Sequence, residues 1–206
     1  TESRVAGPEP SSGMTWLHQH ILPHESLVGP SPVPTRFQSV TLAGLDEEKI
    51  NKAVRSYGKH FWSLAPEGRG VLFTGPPGRY KTYGAAVLAQ AIHHRFRIPV
   101  GWCTVPVDLT HLERNRFSSD TEELLESWKS CPWLVMDDFA IPPMGTWQHS
   151  VVLEIGMYRH ANQLPTCWTG NLTTLGRSAQ EVLSGAVGAQ LARRIGEASR
   201  GYRVMF

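Results

Sequence analysis

The segment that most constrains the fold runs from Gly70 to Thr82 and reads GVLFTGPPGRYKT. A short apolar run, residues 71–73, ends in a Gly/Pro loop, and a helix-favouring stretch follows. Glycines let the backbone of such a loop turn several N–H groups toward one anion, and the helix N-terminus adds its dipole. The segment therefore predicts a phosphate-binding loop made of eight residues: Gly75, Pro76, Pro77, Gly78, Arg79, Tyr80, Lys81 and Thr82.

In this loop, Lys81 is expected to neutralise charge on the β and γ phosphates, and the Thr82 hydroxyl to bind Mg²⁺. The sequence departs from the usual pattern at one position, because Tyr80 stands where a glycine normally precedes the lysine. The alternative interpretation is a Gly/Pro turn that simply precedes an ordinary helix.

Two further polar groups follow apolar strands downstream. Asp137 and Asp138 end the run WLVM, and Asn171 ends TCWTG. The carboxyl ends of parallel strands share one sheet edge, so these side chains are expected beside the phosphate loop. Asp137 would hold Mg²⁺ through water, and Asp138 would orient or deprotonate an attacking water. Asn171 offers a neutral hydrogen-bond partner. Solvated turn residues are the alternative for all three.

Strands alternating with helices predict an α/β fold with a central parallel sheet flanked by helices. The expected strands span about 70–74, 100–105, 133–136, 166–171 and the closing RVMF. The expected helices span about 81–96, 107–114, 121–130, 146–162 and 176–196, with another that starts near residue 46. Asp46 and Asp120 are predicted as N-caps.

The first 35 residues carry six prolines and little periodicity, which predicts a largely disordered or partner-docking tail (1–35) ahead of one domain (36–206). His18, His20 and His24 lie in this tail without a matching ligand cluster elsewhere, so a metal site there is the weaker interpretation. The net charge of +2 gives no strong field. Three cysteines without a CxxC pattern, no leader and no apolar run of about 20 residues favour a cytoplasmic protein without a membrane span.

The order of these parts resembles the AAA+ ATPases of the DnaC/DnaI helicase-loader and IstB transposase-helper family. The resemblance covers about residues 36–206 and rests on RFQSVTL, the phosphate loop, WCTVPVDLTHL, EELLESWKSCPWLVMDDFA, VVLEIGMYRHANQLPT, TGNL and QLARRIGE. It implies a three-layer AAA+ fold that binds ATP and Mg²⁺. It also implies that Asn171 is the sensor residue and Arg194 the arginine finger. Arg159 matches an arginine common in the family's helix before the sensor strand.

The arginine pair Arg193-Arg194 has two interpretations. Late in a helix, both could simply complement the helix dipole. In an oligomeric ATPase, such an arginine instead enters a neighbour's site and stabilises charge on the transferring phosphoryl, which requires head-to-tail assembly.

The resemblance further implies a DNA-replication ATPase that binds single-stranded DNA or a replicative helicase. The candidate DNA-binding residues are Arg114, Arg116 and Phe117 in one loop, with Trp147 as a second stacking aromatic. The alternative is a solvated loop and a core-facing Trp147. Two alternatives stay open: a helper that gathers a transposase on duplex DNA, and a weakly catalytic ATP-binding adaptor, because of Tyr80. The sequence also departs from the family at Gly170, where a small hydroxyl residue usually precedes the sensor asparagine, and it stops at Phe206, before a further sensor arginine.

Overall fold

The computed structural model describes residues 33–140, 145–173 and 177–206. Its five parallel strands are β1 Val71–Thr74, β2 Val100–Thr104, β3 Trp133–Asp137, β4 Thr166–Gly170 and β5 Arg203–Met205. They lie in the order β2-β3-β4-β1-β5. The predicted α/β class and parallel sheet are confirmed.

The α-helices cover both faces of this sheet. They are α1 Glu48–Lys59, α2 Phe61–Leu64, α3 Lys81–Gln90, α4 Val105–Arg114, α5 Ser119–Ser130, α6 Thr146–Ala161, α7 Ala179–Val187 and α8 Ala189–Ala198. Three short 3₁₀ turns, Thr35–Phe37, Leu42–Gly44 and Ala65–Glu67, lie before β1, and a π-helical turn, Ala91–Arg95, extends α3.

Strand alternation builds two hydrophobic clusters, one on each side of the sheet. Phe73 and Trp133 face the cluster that α1 and α3 cover, whereas their neighbours Leu72 and Leu134 face the cluster beneath α4, α6 and α8. Successive side chains of a strand point to opposite faces, so a continuous apolar run is what a sheet buried on both sides requires.

The register places the functional ends of three strands together. β4 lies between β3 and β1, and Thr74 is level with Gly170. The loop after β1 therefore leaves the sheet beside the ends of β3 and β4. This is the edge at which the sequence predicts a nucleotide site.

Several predicted element boundaries differ from the structure. Helix α1 starts at Glu48, and Asp46 accepts a hydrogen bond from Tyr80 instead of capping it. Helix α5 is capped by Ser118, whose hydroxyl accepts from the Thr121 N–H at 3.2 Å, so the prediction for Asp120 was wrong. A side-chain oxygen two or three residues before a free helical N–H makes an N-cap, and Ser118 meets that geometry.

The predicted terminal helix is two helices. Gly188 lies between α7 and α8 with φ of 80°, a conformation that a non-glycine residue adopts only with strain. At the other end, Val33 is buried in the core, so packed structure includes residues before the predicted boundary at 36. The remainder of the predicted tail, residues 1–32 with its three histidines, lies outside the described residues.

Arg159 of α6 is a buried charge that the fold itself satisfies. Its side chain donates to the Trp128, Lys129 and Cys131 carbonyls at 2.9, 3.1 and 2.8 Å, which lie at and just beyond the last turn of α5. It also donates to the Pro165 carbonyl and the Thr166 hydroxyl at 2.8 and 2.9 Å, so all three nitrogens have partners. Burial lowers the pKa of this guanidinium. The arginine therefore ties α5 and α6 to the start of β4.

Candidate nucleotide-binding site

The loop after β1 has the backbone shape of an anion cradle. Gly75 and Gly78 have φ of 146° and 79°, and Tyr80 adopts the left-handed conformation at φ of 54° just before α3. The Gly75 N–H donates to the Gly170 carbonyl at 3.3 Å. A Cβ at Gly75 would lie 2.6 Å from the Phe206 ring, so no larger residue fits there. Left-handed residues in a loop turn successive N–H groups to one side, which is how a phosphate is held.

Tyr80 is held by contacts outside this cradle. Its phenol donates to the Asp46 carboxylate at 3.3 Å, and its ring meets Tyr83 edge-on with centroids 5.8 Å apart. Tyr83 in turn donates to the Thr41 carbonyl at 3.2 Å. The bulky residue at the glycine position thus links the phosphate loop to the segment before α1.

Lys81 is a buried cation with one direct partner. Its ammonium donates to the Pro76 carbonyl at 2.7 Å, and the residue is 6% exposed. Burial lowers the pKa of Lys81, while the nearby carboxylates Asp138 and Asp137 raise it. An ammonium can donate three hydrogen bonds, so donors remain for an anionic ligand.

Asp137 is the most buried acid of the site, with 1% exposure. One of its oxygens accepts from the Thr82 hydroxyl at 2.9 Å and from the Thr169 hydroxyl at 2.5 Å. Burial raises the pKa of this carboxyl, the hydrogen bonds from Thr169 and Thr82 lower it, and the charge of Asp138 raises it further. The predicted partners Thr82 and Asp137 therefore meet directly.

Asp138 lies beside Asp137 with its backbone in the left-handed region, at φ of 55°. Its N–H donates to the Thr169 hydroxyl at 3.0 Å, and the Asn171 amide lies 3.5 Å from its carboxylate. Burial raises the pKa of Asp138, whereas Lys81 and Arg36 lower it. The predicted catalytic pair Asp138 and Asn171 therefore lies on one edge with Lys81.

The side chains of this site have the chemistry that a magnesium nucleotide needs. Mg²⁺ prefers oxygen ligands and is usually held by one or two carboxylates together with phosphate oxygens. Thr82 and Asp137 supply a hydroxyl and a carboxylate 2.9 Å apart, and Lys81 supplies the cation for the phosphates. Among the described residues, no group of three His, Cys, Asp or Glu side chains forms a protein-only metal site.

Arg194 lies away from these residues. It lines a small cleft with Gly68, His160 and Thr166, at the start of β1 and β4, and donates to Glu197 at 3.1 Å. The amino and carboxyl ends of a five-residue strand lie roughly 13 Å apart, and Arg194 lies at the amino end. Arg194 therefore does not complete the site of its own chain, and its role in a neighbour's site stays a prediction.

The candidate DNA-binding residues differ in exposure. Phe117 is 90% exposed, and the Arg116 guanidinium stands 4.8 Å from its ring centroid. Arg114, at the end of α4, is also exposed. Trp147, in contrast, packs partly against the core beneath α6.

Their positions are linked through Gln148, the neighbour of Trp147. Its amide donates to Thr110 and Glu113 of α4 at 3.1 and 3.2 Å. The last turn of α4, which leads into the exposed loop, thus lies beside the start of α6.

Two residues of the site were not assigned from the sequence. Thr169 bridges Asp137 and the Asp138 backbone, and a threonine near the end of an apolar strand was the available signal. Arg36, in the turn Thr35–Phe37, lies near enough to lower the pKa of both carboxyls. The local sequence does not indicate that Arg36 lies near these carboxyls, because the two segments come together only when the chain folds back over the sheet.

Other chemistry is limited in the described part of the chain. Cys103 and Cys167 are buried free thiols, and Cys131 is a half-buried one. No described helix is long and apolar enough to cross a bilayer.

Comparison with known proteins defines the fold class. No protein-family model and no curated protein match the chain. Solved structures do match. The DnaC helicase loader superposes with a TM-score of 0.71 at 22% identity, over 82% of this chain and 99% of that chain. DnaI superposes with a TM-score of 0.67 at 20% identity, over 84% and 93%.

A third structure, the replication initiator DnaA bound to AMPPCP and single-stranded DNA, superposes with a TM-score of 0.61 at 14% identity, over 84% of this chain and 50% of that chain. The protein therefore has the AAA+ P-loop NTPase fold. The predicted resemblance to the helicase loaders DnaC and DnaI is confirmed at the level of the fold, and that to IstB stays a prediction.

Proposed function

We propose that this protein is an ATP-dependent DNA-replication accessory protein that works in the manner of a helicase loader. The observation that carries the proposal is the meeting of Thr82 with Asp137 at 2.9 Å, beside buried Lys81. The fold shared with helicase loaders supports it. A buried lysine, a hydroxyl and a carboxylate on one edge form an arrangement suited to a polyphosphate with its metal ion.

In this proposal, residues 75–82 cradle the phosphates, with Lys81 as the cation. Thr82 and Asp137 hold Mg²⁺, the latter through water. The metal supplies charge neutralisation for phosphoryl transfer. Asp138 orients the attacking water, and Asn171 supports it by hydrogen bonding.

The direct test is a nucleotide-dependent pull-down with single-stranded DNA and with replicative helicases. The variant Asp138→Asn is expected to bind ATP without hydrolysing it, since asparagine also tolerates the left-handed backbone there. It should therefore retain DNA or helicase more firmly than the wild type. Retention that ignores ATP in both proteins would contradict the proposal. A preference for duplex DNA with filament growth would indicate a transposition helper instead.

Arg194 is proposed to act in trans within a head-to-tail assembly. Arg194→Ala should bind ATP normally and lose hydrolysis. An equal mixture with Asp138→Asn should then recover activity, because the asparagine variant donates an intact arginine to a neighbour with an intact active site. No recovery in the mixture, despite association of the two variants, would remove the trans role.

The proposed single-strand contact uses Arg114, Arg116, Phe117 and Trp147. Phe117 offers an open ring, and two arginines beside it attract phosphates. Phe117→Ala should weaken oligonucleotide binding by about 5- to 100-fold, the range for one stacked base. Unchanged DNA affinity would leave this loop as a solvated turn.

Tyr80 favours a slow ATPase as the second candidate. Its side chain is tied to Asp46 and Tyr83, so the phosphate loop is coupled to the segment before α1. A loop restrained in this way would bind ATP and turn over slowly, as in an adaptor that holds nucleotide. Measured binding without measurable turnover would support this candidate.

A further inference from the structure

A large groove lies on the face of the sheet opposite α4 and α6. It has a volume of about 850 Å³ and runs between α1, the second half of α3 and the segment 40–42. Its apolar floor includes Val54, Val87 and Leu88, which belong to the cluster that α1 and α3 cover. The groove begins six residues after Lys81 along α3, so it is separate from the phosphate loop.

Every charged side chain that lines this groove is basic. Arg55 and Lys59 follow each other at one helical turn along α1, and Arg95 stands across from them on the π-helical turn with His94 beside it. All four are exposed. The Arg55 Nε donates to neutral Asn51 at 2.7 Å, and none of these four side chains has a carboxylate within 4 Å among the described residues. Elsewhere on the described surface, Arg79, Lys129 and Arg194 do have acidic partners.

The groove also holds an exposed aromatic platform. Trp62 is 39% exposed and meets Phe61 and Phe96 edge-on, with centroids 5.3 and 5.5 Å away. The Arg95 guanidinium stands 5.7 Å from the Phe96 ring centroid. Edge contacts fix the orientation of the indole while leaving part of it open to solvent. A π-helical turn, here Ala91–Arg95, is also an uncommon feature that is frequently found at functional sites.

We propose that this groove binds single-stranded nucleic acid, with Arg55, Lys59 and Arg95 on the phosphates and Trp62 stacked on a base. A basic track beside an aromatic ring is how proteins hold single strands without reading their sequence. A duplex has no free base face for Trp62, and an acidic polymer without aromatic residues, such as polyglutamate, has no ring to stack. The surface does not depend on the nucleotide site, and it lies on the other face of the sheet from Arg116 and Phe117.

The test measures binding of a fluorescein-labelled oligothymidylate of about 16 nucleotides by anisotropy across a salt series, with the full chain carrying F117A, so that the contact proposed for Phe117 does not mask the groove. The double variant R55Q/K59Q should lower the affinity and reduce the slope of log K against log salt by about 1.4, because each phosphate contact contributes about 0.7. The matched control R177Q/R200Q removes the same charge from exposed positions outside the groove and should change affinity less than about twofold.

The aromatic step is tested at Trp62. W62L keeps apolar volume without a ring and should lose about 5- to 100-fold in affinity, whereas W62F should retain most of it. Melting temperatures confirm that each variant is folded. An abasic strand of the same length keeps the phosphates without the bases, so it should bind more weakly than oligothymidylate and ignore W62L.

Three outcomes would overturn the proposal: no oligonucleotide binding by the F117A chain, unchanged affinity in both R55Q/K59Q and W62L, or binding of the abasic strand and of polyglutamate as tight as that of oligothymidylate. The last outcome would mean that the groove reads negative charge alone, as for an acidic polypeptide. Fluorescent-ATP affinity, measured in parallel, should be unchanged in every groove variant. Loss of DNA binding with intact ATP binding would assign the effect to this groove. Loss of ATP binding with intact DNA binding would assign it to the nucleotide site.

Discussion

Two buried charged sites lie at opposite ends of the sheet, and they are built in opposite ways. At the start of β4, Arg159 is 1% exposed and all three of its nitrogens donate to protein oxygens. At the end of β1 and β3, Lys81 has one direct partner, and Asp137 has the two threonine hydroxyls. Both sites carry the cost of removing charge from water, but only the first is fully compensated within the chain.

Backbone strain does not follow this division. Tyr80 and Asp138 at the carboxyl edge are left-handed residues other than glycine, but so are Arg97 and Gln163 just before β2 and β4, at a cost of roughly 1–3 kcal/mol each. The two ends therefore differ in how completely their buried charges are compensated. The comparison indicates that the Arg159 end stabilises the fold, whereas the Lys81 end holds charge ready for a ligand.

The largest expected effect comes from removing the compensated charge. Arg159→Ala removes the hydrogen-bond donor from five oxygens. They are the carbonyls of Trp128, Lys129, Cys131 and Pro165 and the hydroxyl of Thr166. We expect a loss of about 3–5 kcal/mol in the free energy of unfolding, measured by urea denaturation, because each buried acceptor left unpaired costs about 1–3 kcal/mol. Arg159→Lys keeps the charge but cannot reach all these acceptors, so it should fall between Ala and the wild type. A loss below about 1 kcal/mol for Arg159→Ala would contradict the structural role.

Lys81→Ala should weaken ligand binding without destabilising the fold, which is the reverse of the effect expected for Arg159→Ala. Nucleotide affinity should fall by about 30-fold or more, as when one partner of a buried charged contact is removed, and fluorescent-ATP titration measures this. The free energy of unfolding should stay level or rise, because an incompletely compensated buried cation is gone. Lys52→Ala, on the exposed side of α1, serves as the control for both measurements. Unchanged ATP affinity in Lys81→Ala would refute the site.

Asp137→Asn separates stability from function by pH. Burial raises the pKa of the Asp137 carboxyl, so between its unfolded and folded values the native state binds more protons than the unfolded chain. Asp137 therefore reduces stability as pH rises through that window, and the deficit is complete above it. Asp137→Asn should melt at a higher temperature than the wild type at pH 7, and this gain should vanish below about pH 3.9, the ordinary pKa of an unfolded aspartate.

A gain that persists at low pH would show that the asparagine stabilises by some other route than the missing charge. The same variant should also lose the Mg²⁺ dependence of ATP binding, since Asp137 supplies the only carboxylate that contacts Thr82 among the described residues. Stability gained together with binding lost would be the signature of a site kept charged for its ligand.

The sequence predicted the site at the Lys81 end of the sheet but not the hydrogen-bond network at the Arg159 end. Local signals, such as apolar strands that end in Gly75, Asp137 or Asn171, were enough to predict a parallel sheet with a site at one edge. The Arg159 network could not be predicted in the same way, because its acceptors come from α5, the loop before β4 and β4 itself. The family resemblance marked the position without indicating what the side chain contacts.

Helix ends show the same limit. Asp46 and Asp120 were plausible caps by residue type, but competing partners decided the outcome: the Tyr80 phenol for Asp46, and Ser118 ahead of Asp120. Arg36 and Thr169 depend on long-range placement of the 35–37 turn and of β4 beside β3. Local sequence fixes residue types at the site, whereas tertiary packing fixes which of them touch.

Tyr80→Gly is expected to have the smallest effect on stability, and it tests the phosphate loop at the carboxyl edge directly. Glycine relieves a left-handed backbone cost of roughly 1–2 kcal/mol, while the hydrogen bond to Asp46 and the edge contact with Tyr83 are lost. A hydrogen bond of this kind contributes about 0.5–1.5 kcal/mol, so the two changes should nearly cancel in urea denaturation. The rate of ATP hydrolysis should rise, because the phosphate loop is no longer tied to the segment before α1. Tyr80→Phe keeps the ring without the phenol and isolates the hydrogen bond. If the glycine variant hydrolyses ATP no faster than the wild type, then Tyr80 is tolerated in the loop and does not restrain it.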